Sequence, residues 1–240
     1  MNNNKATVII ASIGDDCLVD AITSIKNQTI KADIYLVCDG VQHHSKIQKL
    51  VYGNYFGDIQ YLKLPYNIGG DGYYMHRAIA GCCHFIDSDY ILFLDNDNIL
   101  ESNHVESLIK TIEENDLDWS YSLRTIIDKD KNYICHDDCE SLGKYSNIYN
   151  QYHIDTSCYC LKKEVAIKTS WMFHGKYAQD RKFYEYLRSV YPKYECSGKY
   201  TLKYRLGSNP CSPSKEFFLK ANEHMLTYYG DNWYNEWRKK

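Results

Sequence analysis

The 240-residue chain has no excess of positive charge: 28 Lys and Arg stand against 31 Asp and Glu, for a net charge of −3. Nucleic-acid binding draws its affinity from a basic face, so that class is set aside. No run approaches the ~20 apolar residues of a membrane span. The opening MNNNKATVIIASIGDD also lacks a long apolar stretch before polar residues resume. The expectation is therefore no export signal, a cytoplasmic setting and reduced thiols. Ten cysteines are present, but Cys135-His136-Asp137-Asp138-Cys139 and Cys158-Tyr159-Cys160 lack the Cys-x-x-Cys spacing of structural zinc sites. Small buried hydrophobes are the favoured reading of these cysteines and zinc the lesser one. No internal repeat, low-complexity linker or composition break divides the chain, so residues 1–240 are expected to form one domain.

What is present is a regular alternation in the first half. The β-branched apolar run 6–11 predicts a buried strand, and Ile13-Gly14-Asp15-Asp16 a turn. Leu18, Ile22 and Ile25 then follow at helical spacing. Runs 33–38, 59–64 and 91–94 predict three more strands. Helices are expected around Ile47–Val51, over 73–85 and along Val105, Leu108, Ile109 and Ile112. This order predicts an α/β fold with a mostly parallel central sheet flanked by helices. Ligands of such sheets gather beyond the carboxyl ends of the strands. Asp39, the turn Asn67-Ile-Gly-Gly-Asp-Gly72, and Asp95 with Asp97 all fall at such ends. The second half is less regular. Strands are expected over 119–127, 153–161 and 200–205, a loop-rich stretch over 128–151, and a helix over 180–188 that Asp180 could cap.

The run ILFLDNDNIL drives a buried strand into two carboxylates one residue apart, Asp95 and Asp97. Like charges that close raise each other's pKa and resist burial. A divalent cation with oxygen ligands would neutralise both and could also carry a diphosphate. A solvated turn would explain Asp-x-Asp alone, but not Asp39 and a glycine-rich turn at the same edge. A calcium loop fails on spacing, because Ile99 would stand at a ligand position and Leu100 at that of the sharp-turn glycine. Haloacid-dehalogenase-type phosphohydrolases also place a nucleophile such as Asp95 after an apolar strand. In those enzymes, however, it normally ends the first strand, and here three precede it.

Thr7-Val-Ile-Ile-Ala-Ser12, Ser24-Ile-Lys-Asn-Gln-Thr29, Val37-Cys-Asp-Gly40, Asn67-Ile-Gly-Gly70 and Phe93-Leu-Asp-Asn-Asp97 occur in that order. Together they resemble family 2 glycosyltransferases of the GT-A fold, over roughly residues 5–115. The resemblance implies a nucleotide-sugar-binding half up to about residue 115, then an irregular acceptor-side half and a tail over about 116–240. It implies that Asp39 holds the uracil and ribose side of a donor, with Ser12, Asn67, Gly69, Gly70, Arg77 and Asn96 around it. Asp95 and Asp97 would bind ribose and a diphosphate-bound Mn²⁺ or Mg²⁺. The family's Glu-Asp pair has Gln179-Asp180-Arg181 as its counterpart, which makes Asp180 the candidate general base. Asp155 in HIDTSCYCL is the second candidate, and His136, His153, His174 and His224 are unranked candidates for a further metal ligand.

The implied activity is metal-dependent, inverting transfer from a nucleoside-diphosphate sugar, a UDP-sugar by resemblance. The acceptor would be a hydroxyl of a glycan, a lipid-linked glycan or a protein. The alternatives are a phosphohydrolase using Asp95 and a non-catalytic nucleotide-sugar binder that lacks the Glu before Asp180. Phe217-Phe218-Leu219 and Trp233, Tyr234 and Trp237 beside Arg238-Lys-Lys240 could touch the inner face of a membrane. Docking of these aromatics onto the domain is the preferred reading, given the poorly sustained amphipathic pattern.

Overall fold

The computed structural model describes residues 5–146, 150–207 and 212–230. The first four predicted strands form a parallel block. They are β1 (Ala6–Ser12), β2 (Ala32–Asp39), β3 (Gln60–Leu64) and β4 (Tyr90–Phe93), in the spatial order 3-2-1-4. The helices α1 (Leu18–Lys26), α2 (His44–Gly53) and α3 (His76–Cys82) connect them. Strand order therefore reverses between β1 and β4, and Ser12, Asp39 and Asp95 stand at the carboxyl ends around that switch. β1 and β4 are almost wholly buried, which explains why their sequences read as continuous apolar runs rather than alternating ones.

Helix α3 begins later than the expected 73–85. Asp71, Gly72 and Tyr74 all have positive φ, so residues 71–75 turn instead of coiling. The resemblance segment at 24–29 has a structural role. Buried Gln28 donates to the carbonyls of Ser24 (2.9 Å) and Glu101 (2.7 Å) and accepts from the Val105 N–H (2.9 Å). It thereby ties the end of α1 to the start of α4 (His104–Glu114).

The second half extends the same sheet. β8 (Tyr159–Lys162) pairs antiparallel with β4 and with β6 (Trp119–Ile127), and β9 (Tyr194–Arg205) runs parallel to β6. The two-residue β5 (Ile99–Leu100) closes against β9, and β7 (Tyr133–His136) pairs with β6. Among the described residues these nine strands make one sheet, parallel in its first block and mixed beyond β4. β7 lies inside the stretch expected to be loop, too short for its alternation to register. The expected strand over 153–161 is a strand only from Tyr159, since Asp155 starts a 3-10 turn by accepting from the Ser157 N–H (2.9 Å).

Every residue of β6 is buried. Trp119 at its start stacks on Tyr194 at 4.1 Å and donates its indole N–H to the Tyr191 carbonyl. Next come α5 (Lys163–Thr169) and α6 (Gln179–Val190), and α7 (Lys215–Tyr229) follows β9. Phe218, Ala221 and Met225 of α7 pack on Ile126, Cys135, Cys139, Tyr145 and Leu206 in a satellite core. Phe218 thus docks onto the domain, while Trp233, Tyr234, Trp237 and the basic end lie outside the described residues. Among the described residues no helix is long and apolar enough to cross a membrane. The nine described cysteines are free thiols, eight of them buried.

Candidate active site

A cavity of about 480 Å³ opens at the carboxyl ends of β1, β2 and β4. One wall carries Asp39, Asn67, Gly69, Gly70, Asp95 and Asp97, which the strand pattern groups at this edge, together with Ser12 and Asn96, which only the resemblance implies. The other carries Arg124, Glu140, His153, Asp155, Asp180 and Arg181 from the second half. Arg77 is the exception among the expected residues. It is exposed, stacks over the Tyr73 ring at 3.2 Å and does not line the cavity.

Asp39 is buried at the end of β2 and accepts the backbone N–H groups of Ile68 (2.7 Å) and Gly69 (2.9 Å). The carboxylate thus ties the glycine-rich turn to the strand end. Ser12 does the same on a smaller scale, accepting from the Gly14 N–H at 2.9 Å.

Asp95, two residues beyond β4, has a more hostile setting. Burial, then the charges of Asp155 and Asp97, push its carboxyl well above the usual carboxylate range. Ser157 is its neighbour: the hydroxyl oxygen accepts the Asp95 N–H (3.1 Å) and donates to Oδ2 (3.3 Å). Asn98 steadies the loop, donating to Ser157 and accepting the Arg205 N–H at 3.1 Å.

The far wall is an ion network that sequence reasoning largely missed. Buried Arg124 donates from Nε to Asp137 (2.6 Å), from one terminal nitrogen to Asp155 (2.6 Å) and from the other to Glu140 (3.0 Å). The three carboxylates outweigh burial and hold the guanidinium charged. Arg181 donates to the second Glu140 oxygen (2.7 Å). The signal was present in WSYSLRTII, where one arginine interrupts a strand long and apolar enough to be fully buried. Such a charge must find carboxylates.

Asp180 is the second residue of α6, and Ala178, in a left-handed conformation, takes the cap position instead. The expected helix-cap role for Asp180 is therefore corrected. Its Oδ2 meets His153 Nε2 at 2.8 Å and its Oδ1 accepts the Arg181 N–H at 2.8 Å. Burial alone would raise this carboxyl, but His153 and then Arg181 bring it down to about 2. Burial would likewise lower His153, and Asp180 with Glu140 raise it to about 9. Asp155, the other candidate base, has Oδ2 on Arg124 and Oδ1 on the Ser157 N–H. Both its oxygens serve the architecture.

Of the four candidate metal histidines, His153 alone lines the cavity, and its nitrogens face Asp180 and Glu140. His136 stacks on Tyr200, His174 meets the Trp171 carbonyl, and His224 packs on Tyr145 and Tyr228. Among the described residues no group of three or more His, Cys, Asp or Glu could hold a metal ion by itself. The donor set fits a hard cation differently. Mg²⁺ or Mn²⁺ bound by one or two carboxylates and a substrate diphosphate needs no protein cage. Asp97 and the destabilised charge of Asp95 suit that arrangement.

The glycosyl transferase family 2 model matches residues 7–174, which include β1 to β4, the Asp95–Asp97 segment and His153. The chain belongs to glycosyl transferase family 2. The family match leaves the phosphohydrolase reading of Asp95 without support. An uncharacterized protein of Haemophilus influenzae is 44% identical over 57 residues, covering 24% of this chain and 38% of that protein. Among solved structures, S. aureus TarS 1-349 in complex with UDP-GlcNAc superposes with a TM-score of 0.63 at 13% identity. That match covers 93% of this chain and 66% of TarS 1-349. The complex of TarS 1-349 with UDP gives 0.59 at 14% identity, covering 84% and 60%. The chain thus spans less than two thirds of these relatives and shares the fold of the TarS structures, the GT-A arrangement of the family.

Proposed function

We propose that this chain transfers a sugar from a nucleoside-diphosphate sugar of the UDP class to an acceptor hydroxyl, with inversion and with a divalent cation. The observation that carries the reading is the cavity itself. Its first wall gathers Ser12, Asp39, the Asn67–Gly70 turn and the Asp95–Asp97 segment, and its second presents Asp180 as an ionised carboxylate. TarS binds UDP and UDP-GlcNAc on the same fold, which supports the donor class.

The electrostatics support the cation. Seven carboxyl groups line the cavity against two arginines, and those arginines are already engaged by Glu140 and Asp155. A diphosphate entering such a space needs a positive charge to accompany it. Mn²⁺ or Mg²⁺ on Asp97 and Asp95 would supply it and stabilise the charge that builds on the leaving diphosphate. Asp39 and the turn it holds shape the nucleoside end.

Direct displacement requires the acceptor hydroxyl to shed its proton as it attacks, and Asp180 is the group held ionised for that task. Asp155 is left with a structural role. A hydroxyl of a glycan, a lipid-linked glycan or a protein meets this chemistry, and a role in polysaccharide or glycoconjugate assembly is part of the proposal.

Slow hydrolysis of UDP-sugars with Mn²⁺, followed across a donor panel, tests the reaction class. Asp180→Asn should leave donor binding nearly unchanged and lower turnover by ~10²–10⁴-fold. Phosphate release from simple phosphomonoesters in preference to sugar nucleotides would overturn the proposal.

A further inference from the structure

The histidine beneath Asp180 lies on the wall opposite the Asp95–Asp97 segment, and hydrogen bonds tie down the segment that carries it. His153 is 5% exposed and follows Tyr152, whose N–H donates to Glu185 of α6 at 3.3 Å. The Gln151 carbonyl accepts from Arg181 at 3.3 Å, and Asp155 is clamped by Arg124 of β6. The segment from 151 to 155 is therefore fastened on one side to the helix that carries Asp180 and on the other to the central strand. His153 presents Nε2 to Asp180 Oδ2 at 2.8 Å. Its Nδ1 lies 3.4 Å from Glu140 Oε2, close enough for an ion pair but not aligned as a hydrogen bond.

We propose that His153 is a positioning residue: backed by Glu140, its imidazolium grips one oxygen of Asp180 and sets the direction in which that carboxylate faces the acceptor. The inference rests on the reading of Asp180 as the general base. It assigns to Glu140, brought in from a 3-10 turn after β7, the task of keeping the imidazole charged. Arg181 completes the frame, donating its backbone N–H to Asp180 Oδ1 and its side chain to Glu140.

The titratable groups that interact with Asp180 are His153, Arg181, Asp95, His76 and Tyr159; burial lowers His76 and raises the Tyr159 phenol, so both of these favour the neutral form. Removing the imidazolium leaves Asp180 facing Asp95 with Arg181 as its main cationic neighbour. Its proton affinity should then rise.

The test uses the full chain with UDP-sugar and Mn²⁺. His153→Ala should lower kcat about 10–100-fold, the usual cost of losing a partner that orients a functional ligand. Donor KM should stay within about twofold, because nothing on the nucleotide wall changes. The acid limb of the kcat profile should move to higher pH. His153→Gln, which keeps a donor near Nε2 without the charge, should recover most of kcat yet retain the displaced limb. A wild-type kcat and profile in His153→Ala overturns the proposal. So does His153→Gln that is no better than alanine and merely melts earlier, since that marks a folding role.

Nitrogen NMR of the His153 ring gives a readout independent of turnover. Its titration should move to lower pH in Asp180→Asn, and an unmoved titration sinks the pair itself. If Asp180→Asn retains its turnover while the ring titration moves, the base assignment has failed and the contact stands.

Discussion

Gly69 donates its N–H to the carboxylate of Asp39 at 2.9 Å and lies so close that a Cβ there would sit 2.8 Å from the same oxygen. The added atom would also meet the Tyr74 carbonyl at 2.2 Å. Only glycine allows the turn to close over the strand end in this way. Gly69→Ala should therefore lower UDP affinity at least tenfold and reduce Tm. Asp39→Ala strips two charge-assisted bonds, each worth about 1.5–3 kcal/mol. It should weaken UDP and UDP-sugar binding alike in calorimetry. A loss confined to the sugar-bearing donor would place the nucleoside elsewhere.

Asp95 and Asp97 predict opposite responses to substitution. The Asp95 carboxyl is raised in the folded chain, so the fold binds its proton more tightly than the unfolded chain does. The associated stability is fully present below about pH 4 and is lost as pH rises through the folded value. Asp95→Asn should thus flatten the fall in Tm above about pH 4, and Mn²⁺ with UDP should restore Tm in the native chain. Asp97→Ala should leave the fold intact and abolish the Mn²⁺-dependent part of UDP affinity. Unchanged metal-dependent affinity would remove Asp97 from the cation site.

Arg124 neutralises Asp137, Glu140 and Asp155 at once from a fully buried strand. Arg124→Met leaves three carboxylates without their partner and should cost about 3–5 kcal/mol or more in denaturant unfolding. Asp155→Asn should likewise lower stability first, with donor hydrolysis per folded molecule falling much less than in Asp180→Asn. The reverse ranking would return Asp155 to candidacy as the base.

The pair of His153 and Asp180 sets a pH window. Asp180 is lowered from 3.8 to about 2, so its contribution is present above about pH 4 and lost as pH falls through about 2. His153 is raised from 6.5 to about 9, so its contribution is full below about pH 6.5 and lost as pH rises through about 9. The two windows overlap between about pH 4 and 6.5, where the His153–Asp180 contact, with the shares of Glu140 and Arg181, should contribute fully to Tm. His153→Ala should remove the decline toward pH 9; an unchanged decline would assign it to other groups.

The grouping of the cavity's first wall is legible in the sequence because that wall is built locally. Each of Ser12, Asp39, Asn67 and Asp95 ends a strand or follows one, and strands announce themselves by β-branched apolar runs. Arg77, carried over by resemblance alone, stands outside the cavity on the Tyr73 ring, after a Tyr74 whose positive φ is usually left to glycine or asparagine. The second wall depends on partners such as Arg124 and Asp155, 31 residues apart, or His153 and Asp180, 27 apart. No periodicity relates such residues, so only the folded sheet brings them together. Even there, Arg124 in an otherwise apolar strand pointed to buried carboxylates without saying which.

The pairing of β8 with β4, and of β9 with both β6 and β5, has a consequence for how the chain emerges from a ribosome. The block 3-2-1-4 can assemble once residue 93 is out, but one edge of β4 then has no neighbour until residues 159–162 follow. For some seventy residues of synthesis, about 3–14 s at typical elongation rates, an apolar strand offers bare backbone groups to any passing extended chain. β5 waits longer still, since its partners Leu202 and Lys203 arrive near the end. A nascent chain stalled between these points would be sticky despite having the whole first wall of the cavity. Chaperone dependence should therefore peak before β8 is made and decline after it, whatever the stability of the finished protein.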